Sequence, residues 1–249
     1  MSELRVRMDP LNPGQFFACC GLFELIDLDE PGVLAWFHLD SGRPRTAEFI
    51  MECSVRLDEL LTRLRSKEPE LLEARVEGSI LPAMIRYGGR QLILDWWLNE
   101  FRDKAVNIKC WAGRVTTRIL FHELLPLVDG SSSGGDIFER ARMTKSKFGV
   151  DPRSAWNALD FGFSPDKHKK DAKTFPAVEI LASIGLQSFR PARRGNLSYS
   201  LWRVPLPAIV TRQVFRSPWA GLPCRTYTFS ILPRGSYKYF TFGKESKDQ

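Results

Sequence analysis

The strongest constraint on the fold comes early in the chain. Asp9-Pro10-Leu11-Asn12-Pro13-Gly14 packs two prolines and a glycine into a short stretch, which ends any regular element. Directly after it, Phe16, Cys19, Cys20, Phe23 and Ile26 recur at helical spacing. The pattern predicts a helix over 15–28 whose apolar residues need a buried partner surface. A second strongly apolar helix is predicted over 175–185, with Pro176 in its first turn and Gly185 at its C-cap.

Strands are the natural reading of the alternating stretches 4–8, 33–39, 46–53 and 198–204. Ser41-Gly42-Arg43-Pro44 makes a hairpin-like connection, and Gly88-Gly89 joins 83–86 to 91–94, with Asp95-Trp96-Trp97 closing that strand. Residues 57–66 form a charged amphipathic helix in this reading, and 109–126 a further helix starting near Trp111. Shorter helical pieces are expected at 69–75 and 154–159. Residues 205–215 are β-branched yet bracketed by prolines, so strand and helix both fit. A terminal hairpin is expected from 225–232 and 237–242, followed by a frayed polar tail over 244–249. Strands and helices mix without βαβ alternation. The predicted class is therefore α+β: mixed antiparallel sheet elements packed with helices, a terminal β-hairpin and irregular basic loops.

Length and charge bear on organisation. A chain of 249 residues makes one large domain or two small ones. Gly130-Ser131-Ser132-Ser133-Gly134-Gly135 reads equally as a linker and as a mobile loop. Two layouts follow: an acidic N-terminal α+β part (1–129) with a basic C-terminal part (130–249), or one continuous domain. The net charge of +7 hides an asymmetry. Residues 1–103 hold 12 basic and 18 acidic side chains, whereas residues 104–249 hold 24 basic and 11 acidic. That split points to a polyanion partner on one side of the molecule.

The N-terminal sequence does not resemble a signal peptide, because the apolar stretch lacks a basic lead and a small-residue cleavage site. No apolar run reaches the ~18–20 residues that span a bilayer. The five cysteines, Cys19, Cys20, Cys53, Cys110 and Cys224, include no CxxC pair. Buried, reduced thiols of a cytoplasmic protein without membrane contact are the expectation.

Enzyme signatures are scarce. His38, His122 and His168 are far apart, and His122 reads as a core histidine on an apolar helix. Walker A and GxGxxG motifs are missing from the sequence. Asp27, Asp29, Glu30, Glu52, Asp58 and Glu59 read as loop and cap charges rather than as a metal-binding nuclease centre. No cofactor is expected.

Polyanion binding has more support. Basic clusters run over 140–147, 167–173 and 190–194 in loop-like positions. Cations on loops reach phosphates and release counterions, a salt-sensitive and sequence-independent interaction. The candidates for phosphate contact are Arg140, Arg142, Lys145, Lys147 and Arg153, with Lys169, Lys170, Arg190, Arg193 and Arg194 lining a second part of the same groove. Trp96, Trp97, Trp111, Trp156 and Trp202 fit base stacking, although tryptophan is more often a core residue. Asn12 and Gln15 have two readings: amides aimed at bases or phosphates, or the start of a helix capped by Asn12.

Several phrases then read together: Asp9–Leu25, Leu94-Asp95-Trp96-Trp97, Lys109-Cys110-Trp111-Ala112-Gly113, Phe148–Trp156, Asp160–Ser164, Pro176–Leu186 and Gly235-Ser236-Tyr237-Lys238. In this order they resemble the compact large-subunit-type protein of type I-G (formerly I-U) CRISPR effector complexes of the Cascade kind. The resemblance implies a non-enzymatic component of an RNA-guided surveillance complex. Such a component contacts CRISPR RNA and target double-stranded DNA, and helps to recognise the target-adjacent motif and to open the duplex, while the guide reads sequence. It also implies backbone and handle-binding subunits as neighbours, and a helicase-nuclease recruited after target binding. Asn12, Gln15, Lys109 and Arg114 are polar residues within or beside these phrases and become candidates for contacts near the adjacent motif. Two alternatives stay open: a guide-RNA-processing or metal-dependent nuclease, and a handle-binding subunit that contacts RNA only.

Overall fold

The computed structural model describes residues 2–40, 42–66, 70–71, 82–102, 104–112, 115–129, 136–154, 171–194, 196–216, 221–234 and 237–246. The fold is α+β. Its strands are β1 (Ser2–Met8), β2 (Leu34–Leu39), β3 (Ala47–Cys53), β4 (Glu70–Leu71), β5 (Ala83–Tyr87), β6 (Arg90–Leu94), β7 (Arg142–Thr144), β8 (Ala172–Thr174), β9 (Ala192–Arg194), β10 (Asn196–Trp202), β11 (Leu206–Pro207), β12 (Cys224–Phe229), β13 (Ile231–Arg234), β14 (Tyr237–Phe240) and β15 (Lys244–Glu245). Its helices are α1 (Pro13–Asp29), α2 (Leu57–Arg65), α3 (Thr117–Leu124), α4 (Pro176–Ser188) and α5 (Ala208–Arg216).

Helix α1 is buried on every side from Pro13 to Ile26, and α4 from Pro176 to Leu186. Two such helices satisfy one another by packing together at the centre of the molecule. They touch at glycines. A Cβ on Gly21 would lie 1.9 Å from the Leu181 carbonyl oxygen, and one on Gly185 would lie 2.0 Å from that of Phe17. Gly185 therefore does not end its helix, contrary to the C-cap role that the sequence pattern predicts. It admits the neighbouring backbone, and α4 runs on to Ser188.

Two four-stranded antiparallel sheets flank this pair, in the orders β1-β3-β2-β11 and β15-β12-β10-β9. A three-stranded sheet, β4-β5-β6, and the ribbons β7-β8 and β13-β14 complete the described sheets. Strand β11 comes from the basic part yet pairs with β2 of the acidic part, through Leu206–Ala35 and Pro207–Leu34. One hydrophobic cluster extends from Val6 to Phe240. The charge boundary is thus not a boundary of packing. Aromatic rings tie the parts together: Phe16 stacks on Tyr199 at 4.7 Å, and the Trp202 indole N–H donates to the Ala35 carbonyl at 2.7 Å.

Several predicted elements change. The helix expected over 109–126 begins only at Thr117, because Thr116 caps it by accepting from the Ile119 N–H at 3.3 Å. Of the described residues before it, 106–109 form a turn closed by the Lys109 N–H on the Val106 carbonyl at 3.1 Å. Strand β6 stops at Leu94, and Trp96-Trp97 enters a turn closed by the Leu98 N–H on the Asp95 carbonyl. Glu70–Leu71 is a strand paired with β5 rather than a helical turn. Residues 205–215 divide into β11 and α5. The expected terminal hairpin also divides: β12 joins β10, and only β13 pairs with β14. The expected frayed tail begins as a strand, with Glu245 opposite Tyr227 and Lys244 opposite Thr228. The glycine-serine tract 130–135 and residues 155–159 of the expected short helix lie outside the described residues; Pro152–Ser154 before them is a single 3-10 turn.

Candidate nucleic-acid interface

The polar residues inside the distinctive phrases assemble first into a buried network. The Asn12 side chain caps α1 by accepting from the Gln15 N–H at 3.2 Å, and its amide donates to Asp151 Oδ1 at 3.0 Å. Gln15 accepts from the Asp9 N–H at 2.6 Å and donates to Glu139 Oε1 at 3.2 Å. Both side chains are 0% exposed. The reading of Asn12 and Gln15 as contacts for bases or phosphates is therefore corrected. Their hydrogen-bonding groups are spent on a helix start and on two distant carboxylates, which is how buried amides are retained.

The same carboxylates hold Arg153. Its Nη2 donates to Asp151 Oδ2 at 2.8 Å and to the Phe138 carbonyl at 2.7 Å, and its Nη1 lies 2.9 Å from both Glu139 oxygens. The guanidinium also sits 3.6 Å from the centre of the Phe175 ring. Arg153 is thus an internal cation, not a phosphate contact. Beneath it, fully buried Glu179 accepts from the Gly149 and Asp151 N–H groups at 2.9 and 3.3 Å. Burial, then the Asp151 charge, pushes the Glu179 carboxyl up to about 7, against the opposing pull of Lys147 and the two N–H donors. The first turn of α1 rests on this segment, since a Cβ on Gly14 would come within 2.6 Å of the Val150 carbonyl oxygen.

Other expected cations also have internal partners. Arg140 pairs with Asp129, and Arg142 reaches the same carboxylate at 3.6 Å while remaining exposed. Lys147 donates to the Ser154 carbonyl. Arg190 pairs with Asp95 at 2.8 Å, a carboxylate shared with Arg102 at 2.9 Å. Arg193 and Arg194 occupy β9, opposite Leu197 and Asn196. Arg114, Lys169, Lys170, His168 and Trp156 lie outside the described residues.

Trp96, Trp97 and Trp111 are buried in edge-to-face contact at 5.3 to 5.7 Å, and Trp202 is buried as well, so these four are core residues. His122 is exposed rather than in the core, because Leu120, Phe121 and Leu124 take the buried face of α3. The acidic residues around 27–30 and 52–59 include ion-pair partners: Asp29 holds Arg63 at 2.6 Å, Asp27 lies 3.2 Å from Arg212, and Asp58 holds Arg56 at 2.8 Å. Cys19, Cys20, Cys53 and Cys110 are buried free thiols, and Cys224 is half-buried.

A different set of cations, two exposed and two half-buried, has no carboxylate partner among the described residues. Lys145 follows the ribbon β7-β8, and exposed Lys173 stands opposite Met143, which is 61% exposed. The other ribbon face turns inward, where Thr144 donates to the Thr174 hydroxyl at 2.8 Å. A second place is the turn 107–111. Lys238 of β14 docks on it through its own N–H, which donates to the Cys110 carbonyl at 2.6 Å. The Lys238 Nζ then lies 3.4 Å from the Asn107 carbonyl, and the Lys109 Nζ donates to the Trp111 carbonyl at 2.9 Å. Burial, and the nearby charge of Lys238, lower the pKa of the Lys109 ammonium below its ordinary value, with the Cys110 thiol acting in the opposite direction. Sequence reasoning singles out Lys109 and Lys145 but not Lys173 or Lys238. The available signal for Lys238 was its place in a distinctive phrase.

Among the described residues, no group of three or more His, Cys, Asp or Glu side chains is arranged to hold a metal ion, and no helix is long and apolar enough to cross a membrane. No family model, curated protein or solved structure matches the chain.

Proposed function

We propose that the chain is a non-catalytic subunit of a type I-G CRISPR RNA-guided surveillance complex. In this role it contacts guide RNA and target double-stranded DNA, and it aids recognition of the adjacent motif and opening of the duplex. The observation that carries the nucleic-acid part is a set of lysines, exposed Lys145 and Lys173 and half-buried Lys109 and Lys238, which have no carboxylate partner among the described residues. All four belong to the basic part of the chain. Cations left open in this way attract a polyanion, and the counterions released on contact favour binding. The assembly part rests on the resemblance, whose phrases bring with them backbone and handle-binding subunits as neighbours and a later helicase-nuclease. The proposed compartment is the cytoplasm, where guide RNA and invading DNA meet.

Co-expression with guide RNA and the remaining complex components tests this reading. The chain is expected to co-purify with the RNA-loaded assembly, and the assembly lacking it is expected to lose target-duplex binding. Free chain that stays apart from the RNA-loaded particle contradicts the reading. Incubation of the purified chain with precursor RNA, and with DNA plus Mg²⁺ or Mn²⁺, tests the nuclease alternative, which requires cleavage products.

A further inference from the structure

We infer that Lys109 and Lys238 form a two-lysine seat for one backbone phosphate of a bound strand, built on the turn 107–111. The inference rests on the nucleic-acid reading above and deepens it by naming a subsite and a residue, Lys238, that sequence patterns pass over. The two ammonium groups are brought to one turn by the main-chain bond from Lys238 to Cys110. Each side chain then caps a carbonyl of that turn, Trp111 for Lys109 and Asn107 for Lys238.

A carbonyl takes up one proton of an ammonium, and the Trp111 ring, whose centre is 4.8 Å from the Lys109 Nζ, attracts that cation weakly, but neither neutralises its charge. Two such charges on one half-buried turn repel each other, and an anion between them relieves both the repulsion and the cost of burial. The platform is held firmly. Cys110 and Trp111 are buried, and Gly149, at φ +83°, packs so closely that a Cβ there would come within 2.9 Å of the Lys238 carbonyl oxygen. A packed platform places the backbones of both lysines at one turn before the ligand arrives, which reduces the ordering cost of binding. A phosphodiester fits better than a carboxylate side chain. The lysines of this part that lack a carboxylate partner among the described residues share one sign, and a nucleic-acid strand offers a repeating anion to all of them.

The test uses the full chain, a fluorescent DNA duplex and a fluorescent single-stranded RNA, with binding followed by anisotropy across a salt series. Lys109→Gln, Lys238→Gln and the double variant are compared with the parent. The double variant is expected to lower the slope of log K against log salt by about 0.9 on duplex or ~0.7 on single strands, the value for one phosphate. The two single variants are expected to be non-additive, since they share that phosphate. A double variant with the parent's slope overturns the seat while leaving the nucleic-acid reading in place. If the parent binds neither strand, the nucleic-acid reading falls. Sodium tripolyphosphate then tests the seat: it is expected to raise the melting temperature of the parent but not of the double variant, and equal rises overturn the seat. Melting curves without ligand establish that each variant is folded. If Lys109→Gln does not fold, Lys238→Gln carries the comparison alone.

Discussion

The charges around Asp151 and those around Lys109 lie in neighbouring parts of the molecule and are balanced in opposite ways. Around Asp151, one arginine is enclosed by two carboxylates and a carbonyl, with two amides completing the network. Around Lys109, two ammonium groups meet carbonyls, and the Lys109 Nζ also lies 4.8 Å from the centre of the Trp111 ring, but neither meets a carboxylate among the described residues. The first arrangement is closed and holds the start of α1 against the 137–154 segment. The second leaves net positive charge without a carboxylate on a half-buried turn. Both look alike in sequence, as polar residues set in distinctive phrases. What separates them is the number of carboxylates that the fold brings to each cation.

The comparison is broken most severely by removing the centre of the closed network. Asp151→Ala leaves the buried Asn12 amide without its acceptor and Arg153 with Glu139 as its remaining carboxylate, and is expected to destabilise the fold by ~3–5 kcal/mol in denaturant unfolding, the usual result of removing one partner of a buried ion pair. A loss near zero would mean that the network is not closed.

Next in size is a pH effect at Glu179. Its folded pKa of about 7 lies above the ordinary value of 4.5, so the folded state holds this proton more tightly than the unfolded chain does. The contribution therefore favours folding most at low pH. It declines as pH rises from 4.5 toward 7, by about 3 kcal/mol in total, and is flat above that. Glu179→Gln is expected to flatten this decline while lowering stability, because an amide N–H would then face the Gly149 or Asp151 N–H. Unfolding curves between pH 4.5 and 8 measure both effects, and an unchanged decline in the variant would assign it to another group.

Asn12→Ala removes the helix cap and is expected to cost ~1–2 kcal/mol by thermal or chemical unfolding. Binding of nucleic acid by the folded variant should be unaffected, and a selective loss of binding would reopen the reading of Asn12 as a contact. The smallest effect on stability is expected on the open side. Lys145→Glu with Lys173→Glu should change stability by less than ~0.5 kcal/mol. The same pair should flatten the salt dependence of duplex binding by about one phosphate equivalent or more. Equal loss of stability and binding would show that these lysines are structural.

Local features were legible in the sequence. The break at Pro10–Gly14, the capping asparagine and the helix behind it follow from neighbouring residues, and α1 begins at Pro13 with Asn12 as its cap. The strands β1 to β3 and the hairpin at Gly88-Gly89 follow from alternation and turn chemistry. Long-range partners were not legible. Asn12 meets Asp151 across 139 residues, and Gln15 meets Glu139 across 124. Nothing near Asn12 or Gln15 announces those carboxylates, so both amides looked free for a ligand. Gly185 failed as a predicted C-cap for the same reason, because its role is set by Gly21 on another helix. Lys238 lies in one of the distinctive phrases, but a lone lysine beside tyrosines carries no charge pattern, and only the docking of β14 on the 107–111 turn gives it Lys109 as a neighbour.

Photo-crosslinking of the assembled complex to labelled guide RNA and labelled target duplex, with the linked residues located by mass spectrometry, tests the central claim most directly. The account predicts crosslinks at residues 107–111, 142–145, 172–173 and 237–239, and none at Asn12 or Gln15. Crosslinks confined to the acidic part, or no crosslinks to either strand in an intact complex, would contradict it.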